Sequence, residues 1–178
     1  MDNQQATLES RTLTTEDLAW LGGVIDGEGC ISLYRRIRGK AVNFTPEIVI
    51  SNSDPYFIEE CAKILEMAEI GHWVQWRKPG KNRQSKKMMG CVITRGFKRT
   101  QRATTILIPY IRAKRDQAKL MLEFVEDRLA CKQKCYSYTE RDDEIYRELR
   151  ILKNKEAPET IRGGYRYHSP TGDTDSKI

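Results

Sequence analysis

Between Ile70 and Arg115 the chain has no aspartate or glutamate, although it carries 25 acids against 31 lysines and arginines, for a net charge of +6. A solvated surface mixes its signs, so an acid-free stretch of this length points away from an ordinary exterior and towards phosphate contacts. Histidine is scarce as well. With only His72 and His168, no histidine-activated nucleophile can be assembled. There is no run of about 18 apolar residues and no basic-then-apolar leader, so neither a membrane span nor a signal peptide is expected. The five cysteines, at 30, 61, 91, 131 and 135, are odd in number and scattered through a chain of 178 residues. Such a chain is long enough to build its own core. That excludes a disulfide scaffold and suits an intracellular, reducing compartment. Cys131 and Cys135 would lie one helical turn apart, but without further ligands nearby they read as packing thiols rather than a zinc site.

Bases fill the acid-free stretch from Arg77 to Arg115, and a second acid-free run holds Arg35, Arg36, Arg38 and Lys40. The acids gather after Asp116 instead. An anionic partner is therefore expected, though charge alone cannot name it.

Residues 1–13 are polar and read as a loose terminus. Thr14 with Asp17 forms a capping box for a helix whose Leu18, Leu21 and Ile25 keep helical spacing to about Asp26, where Gly27 and Gly29 end it. Ile31, Leu33 and Ile37 then alternate with Ser32, Tyr34, Arg36 and Arg38, which is strand spacing with one apolar and one polar face. Arg35 breaks that alternation. Gly39–Lys40 reads as a turn, and Phe44, Ile48 and Ile50 continue a second strand. Asp54-Pro55 starts a helix with Ile58, Cys61, Ala62 and Leu65 on its buried stripe and Gly71 at its close. Two more strands, around Trp73–Lys78 and Met88–Thr94, flank the polar loop PGKNRQSKK. A helix from Gly96 to about Leu107 follows. Another begins near Lys114, with Ala118, Met121, Leu122, Val125 and Leu129 on one face. Thr139 caps a last, more polar helix, and from residue 157 the composition is that of a disordered tail. The order predicts an α+β domain over residues 14–156, with antiparallel hairpins and helices on one sheet face.

The nine residues LGGVIDGEG, Leu21 to Gly29, put four glycines and two acids at the end of the first helix. Glycine inside a helix costs about 1 kcal/mol relative to alanine, so each needs a compensating gain. This stretch resembles the signature of the LAGLIDADG homing endonucleases position for position. The predicted order of elements is that family's αββαββα, here with an extra C-terminal helix. The segments ISNSDPYFIEECAKIL and IPYIRAKRDQAKLML also resemble their counterparts, and the likeness covers residues 14–130.

The resemblance implies a site-specific DNA endonuclease that makes a staggered double-strand cut, with 3′ overhangs, at a long and roughly palindromic site. A single motif implies a homodimer. Ala19, Gly22, Gly23 and Asp26 would face the twin helix, because small residues let two backbones approach; packing of Gly22 and Gly23 against their own chain is the competing reading. Two copies of Glu28 would then lie close together, which calls for cations between them. Mg2+ is the implied cofactor, with Mn2+ or Ca2+ able to take the same site. The motif's second acid is the metal ligand in that family, which maps to Glu28, with the Gly27 carbonyl beside it; the family's usual residue is Asp, one methylene shorter. Asp26 is expected to buttress the helix end in preference to binding metal. Lys114 matches the family's lysine near the active site, against a plain phosphate contact or helix start. Asn52 matches a water-positioning residue, against a simple cap.

The polar sheet face, Ser32, Tyr34, Arg36, Arg38 and Lys40 joined by Gln75 and Arg77, is expected to read double-stranded DNA in the major groove. Two alternatives share the fold: a maturase that binds intron RNA, and a non-catalytic DNA-binding regulator. The intact Glu28 favours cleavage over both. The start at Met1, without flanking splice residues, argues against an intein, and residues 131–156 either extend the DNA grip or pack on the core.

Overall fold

The Thr14 hydroxyl accepts the Asp17 N–H at 3.2 Å while the Asp17 carboxylate accepts the Thr14 N–H at 3.0 Å. This reciprocal cap opens α1 (Thr15–Glu28). The computed structural model describes residues 11–39, 41–78, 87–131 and 138–154. The expected tail, the polar loop after Lys78, Cys135 and most of the expected loose N-terminus lie outside the described residues.

The elements after α1 are β1 (Gly29–Arg38), β2 (Ala41–Asn52), α2 (Pro55–Met67), β3 (Trp73–Arg77), β4 (Met89–Arg95), α3 (Phe97–Leu107), α4 (Arg115–Ala130) and α5 (Glu140–Lys153). The strands form one antiparallel sheet in the order β1-β2-β4-β3. The two hairpins therefore meet along β2 and β4. The result is the expected αββαββα order with further helices at its end.

All the helices contribute to one core on one side of the sheet. Ile31, Leu33, Phe44, Ile48, Ile50 and Val92 point into it beside Leu21, Ile25, Ile58, Met121 and Phe124. Phe44 stacks edge-on against both Phe124 and Tyr138, which seats α4 and the approach to α5 on β2. Thr139 caps α5 as expected, and Asp142 completes a capping box with it.

Several local expectations are revised. The second helix is not closed by Gly71: it ends at Met67, and Glu69 takes the left-handed turn at φ 53°. Gly71 lies where a Cβ would come within 2.9 Å of the Arg99 side chain. Ile37, assigned by alternation to the buried face, is 62% exposed. Arg35 breaks the alternation of β1 because it has a partner on the helix side, the Asp143 carboxylate of α5 at 3.2 Å. Part of the basic stretch is also structural. Arg102 donates to the Ala68 carbonyl at 3.1 Å and pairs with Glu69 at 2.7 Å, and Arg115 donates to the carbonyls of Ile111 and Pro109. These guanidinium groups tie off loop and helix carbonyls instead of facing a polyanion.

Candidate active site and nucleic-acid interface

The four glycines of LGGVIDGEG have different tasks. A Cβ on Gly22 would stand 2.6 Å from the Tyr110 Cβ and 2.8 Å from the Tyr110 carbonyl, so Gly22 lets the segment after α3 lie directly on α1. A Cβ on Gly29 would stand 2.6 Å from the Ile25 Cα; its absence lets the chain turn sharply out of α1 into β1. At Gly23 and Gly27 nothing lies within 4 Å, and both are exposed. With Ala19, also exposed, they form a stripe on α1 that no described residue of the chain covers. Trp20 leans its ring on Phe57 at 5.6 Å between centroids.

The C-terminal end of α1 is tied to the start of α4 in both directions. The Asp26 carboxylate accepts three backbone N–H groups, from Arg112 at 2.7 Å, Ala113 at 3.0 Å and Lys114 at 2.9 Å. The Lys114 ammonium in turn donates to the carbonyls of Ile25 at 2.9 Å and Gly29 at 2.7 Å. Both are charge-assisted: a carboxylate takes three N–H groups of the segment leading into α4, and an ammonium takes two carbonyls where α1 passes into β1. Burial would raise the Asp26 pKa, but the three N–H groups and the Lys114 charge outweigh it and hold it below 3.8. Asp26 is a buttress here, and so is Lys114.

Glu28 is the last residue of this fastened helix and is exposed. Among the described residues it has no hydrogen-bond or ion-pair partner. The described residues contain no group of three or more His, Cys, Asp or Glu side chains placed to hold a metal. At this helix end one chain thus offers one carboxylate without a partner among the described residues, beside the Gly27 carbonyl, which belongs to the last turn whose carbonyls have no acceptor role inside the helix. Hard oxygens of this kind, few in number, are what Mg2+ takes while keeping its waters. Asn52 lies at the same end of the sheet, two residues beyond the Ile50 that pairs with Gly29. Its side-chain oxygen accepts the Asp54 N–H at 3.0 Å, which braces the residue that caps α2.

The sheet face away from the helices carries Cys30, Tyr34 and Arg36 from β1, Thr45, Glu47 and Val49 from β2, Arg77 from β3 and Arg95 from β4. These line a recess of ≈ 530 Å³. Gln75 lies on β3 and accepts a hydrogen bond from Arg77 at 3.3 Å. Ser32 is 5% exposed and accepts from the Lys153 ammonium at 2.8 Å, so the last turn of α5 reaches this face. Lys40 and the side chain of Arg38 lie outside the described residues.

Two charged residues of this face were missed in the sequence, Glu47 and Arg95. Phe44, Pro46, Ile48 and Ile50 are buried on the other side, so period-2 counting along β2 would have placed Glu47 beside Tyr34 and Arg36. Nothing in the sequence marks Arg95 as its partner, because the β2–β4 register that opposes Glu47 to Arg95 is a tertiary fact.

No protein-family model and no curated protein matches the chain. Solved structures do. The homing endonuclease I-CvuI, bound to the I-CreI target with Mg present and its DNA uncleaved, matches at 21% identity and TM-score 0.51 over 78% of this chain and 80% of that one. The LAGLIDADG homing endonuclease I-GzeII, in complex with its DNA target, matches at 14% identity and TM-score 0.55 over 80% of this chain but only 44% of that one. The archaeal intron-encoded I-Vdi141I, complexed with DNA, matches at 13% identity and TM-score 0.53 over 78% of this chain and 97% of that one. At these identities the likeness is one of fold, and the chain has the LAGLIDADG homing-endonuclease fold.

Proposed function

We propose that this chain, which has the LAGLIDADG homing-endonuclease fold, is a site-specific DNA endonuclease that works as a homodimer and hydrolyses both strands of a long, roughly palindromic duplex. The observation that carries the reading is Glu28: a free carboxylate at the end of a helix whose terminus is pinned by Asp26 and Lys114. A carboxylate with no partner among the described residues, held on a rigid support beside a basic sheet face, suits a task performed on a bound polyanion.

In this reading Ala19, Gly23 and Gly27 meet their copies on a twin α1, and the two Glu28 side chains come together about the dimer axis. Gly22 and Asp26 contribute from inside the chain, by seating the segment after α3 and by fixing residues 112–114. Glu28 and the Gly27 carbonyl would hold Mg2+. When bound, that ion would supply Lewis-acid stabilisation of the phosphodiester charge and a nucleophilic water at neutral pH. The chain's own part is positional. Lys114 neutralises the carbonyl end of α1 immediately beside Glu28, which keeps that negative helix terminus from opposing the approach of phosphate. Tyr34, Arg36, Gln75 and Arg77, with Arg38 and Lys40, take the duplex on the open sheet face.

The test is cleavage of a circular plasmid carrying the gene's own insertion locus without the gene, in Mg2+ and in chelator. A linear product in Mg2+ alone, absent for Glu28→Gln, is the expected result. Sequence-specific binding with no cutting in any divalent cation would overturn the nuclease reading in favour of a regulator. Undiminished cutting by Glu28→Gln would overturn the metal assignment.

A further inference from the structure

A buried acid stands in the middle of the face proposed to bind DNA. Glu47 is 2% exposed on β2, directly opposite Arg95 on β4 and Ser32 on β1. An acid there weakens the attraction for phosphate, and its burial costs desolvation, so a compensating role is called for. Its partners indicate one. The Arg95 Nε donates to one Glu47 carboxylate oxygen, and Nη2 pairs with that same oxygen. The Arg95 guanidinium also lies over the Trp73 ring, 5.5 Å from its centroid. Tyr34 lies on β1, at the flank of β2 away from Arg95, and burial, with the Glu47 charge adding to it, raises the pKa of its hydroxyl.

Arg95 is therefore held from two directions while 43% of its side chain stays open. A guanidinium bound side-on through Nε and Nη2 keeps its Nη1–Nη2 edge, and that edge matches the O6 and N7 acceptors of guanine in the major groove. Glu47 itself is too covered to touch a base. We propose that Arg95 reads one guanine in each half-site and that Glu47 is the positioning residue that fixes its fork for that task. The proposal rests on the reading of the open sheet face as a duplex-binding surface.

This pairing also accounts for the acid among bases. A free arginine on this face would bind any phosphate within reach. An arginine tethered to a carboxylate has part of its charge cancelled and most of its rotamers removed, so what remains is directional donation.

The experiment selects bound sequences from a duplex oligonucleotide library with a randomised core, in Ca2+ with Mg2+ omitted. It uses the full chain and the variants Arg95→Ala, Glu47→Gln and Glu47→Gln/Arg95→Ala. The double variant removes the acid that Arg95→Ala would leave buried and unpaired, so the experiment survives misfolding of the single one. Enriched positions are then re-measured one base pair at a time. The expected result is a guanine preference of about tenfold or more at one position per half-site, lost in the double variant and reduced at that same position by Glu47→Gln. Preferences elsewhere should persist, and total affinity should not fall for Glu47→Gln, which gains a positive unit.

If the wild-type consensus survives unchanged in the Glu47→Gln and double variants, Arg95 does not read a base, and the duplex-binding reading stands without it. If Glu47→Gln lowers thermal stability but moves no base preference, Glu47 is a β2–β4 staple only. If the wild type enriches no sequence, the duplex-reading surface and this proposal fall together.

Discussion

Replacing Gly23 by alanine adds one methyl group where no described residue of the chain lies within 4 Å, whereas the same change at Gly22 drives it to 2.6 Å from Tyr110. The two substitutions have equal helix-propensity gains, about 1 kcal/mol each. For Gly23→Ala that gain stands alone in the isolated chain, which should become more stable by about 1 kcal/mol. If the stripe of Ala19, Gly23 and Gly27 meets a twin helix, the same methyl overpacks the contact between copies. Overpacking costs about 1–3 kcal/mol, which is about 5- to 150-fold in the dimer dissociation constant. For Gly22→Ala the neighbour at 2.6–2.8 Å includes backbone as well as side chain, so a similar penalty falls within the chain and outweighs the propensity gain. The assay pairs sedimentation equilibrium over a dilution series with thermal melts at dilutions where dissociation is complete. A Gly23→Ala chain that is more stable but dissociates more readily, beside a Gly22→Ala chain that is less stable, bears out the division of labour. An unchanged dissociation constant for Gly23→Ala would refute the placement of this stripe at a dimer interface.

Asp26→Asn removes the charge behind three backbone hydrogen bonds. At about 1 kcal/mol each, discounted for partial exposure, the loss in denaturant unfolding should be about 2–3 kcal/mol. The Asp26 carboxyl is held below its ordinary 3.8 in the folded chain. Its contribution is therefore fully present above about pH 4 and disappears as pH falls through the folded value; the Asn variant should lose less stability on acidification, and an identical acid limb would contradict this. Lys114→Met gives up two carbonyl partners at 2.9 and 2.7 Å. Because it fastens the same joint as Asp26, the double variant should fall short of additivity by at least about 0.5 kcal/mol in a double-mutant cycle; strict additivity would show two independent fastenings. The Cys61 thiol is pushed up to about 12, chiefly by burial, with the Glu60 charge adding to it. At pH 8 it should react with a thiol reagent only after unfolding, while half-buried Cys131 reacts in the folded chain; free-thiol reactivity at Cys61 would place it outside the core.

The elements were legible wherever a local rule decides them. Thr14, three residues before Asp17, announced the start of α1, because a capping box closes within four residues, and Thr139 as a cap announced that of α5. Asp54-Pro55 announced α2 for the same kind of reason. The alternation of Ile31 and Leu33 with Tyr34 and Arg36 gave the two faces of β1. Where partners come from afar, local reading stopped: at Ile37, which alternation buried and the fold leaves open; at Gly71, which punctuates no helix; and at Arg35, whose reason is Asp143, more than a hundred residues away along the chain.

The candidate site divides along the same line. The sequence by itself determined the helix-ending motif with its glycines and its two acids, the basic polar face of β1, and the order of elements that makes an antiparallel sheet backed by helices. Each of these is written in spacing, and spacing is a property of the chain. Only the tertiary structure decided that Gly22 serves its own chain while Gly23 and Gly27 stay open among the described residues, that Asp26 holds the backbone of residues 112–114 and Lys114 the carbonyls of Ile25 and Gly29, that Glu28 has no partner among the described residues, and that Glu47 holds Arg95. A carboxylate's task depends on which donors reach it within about 3 Å, and the pairing of strands and seating of helices, not the neighbours in sequence, bring those donors there.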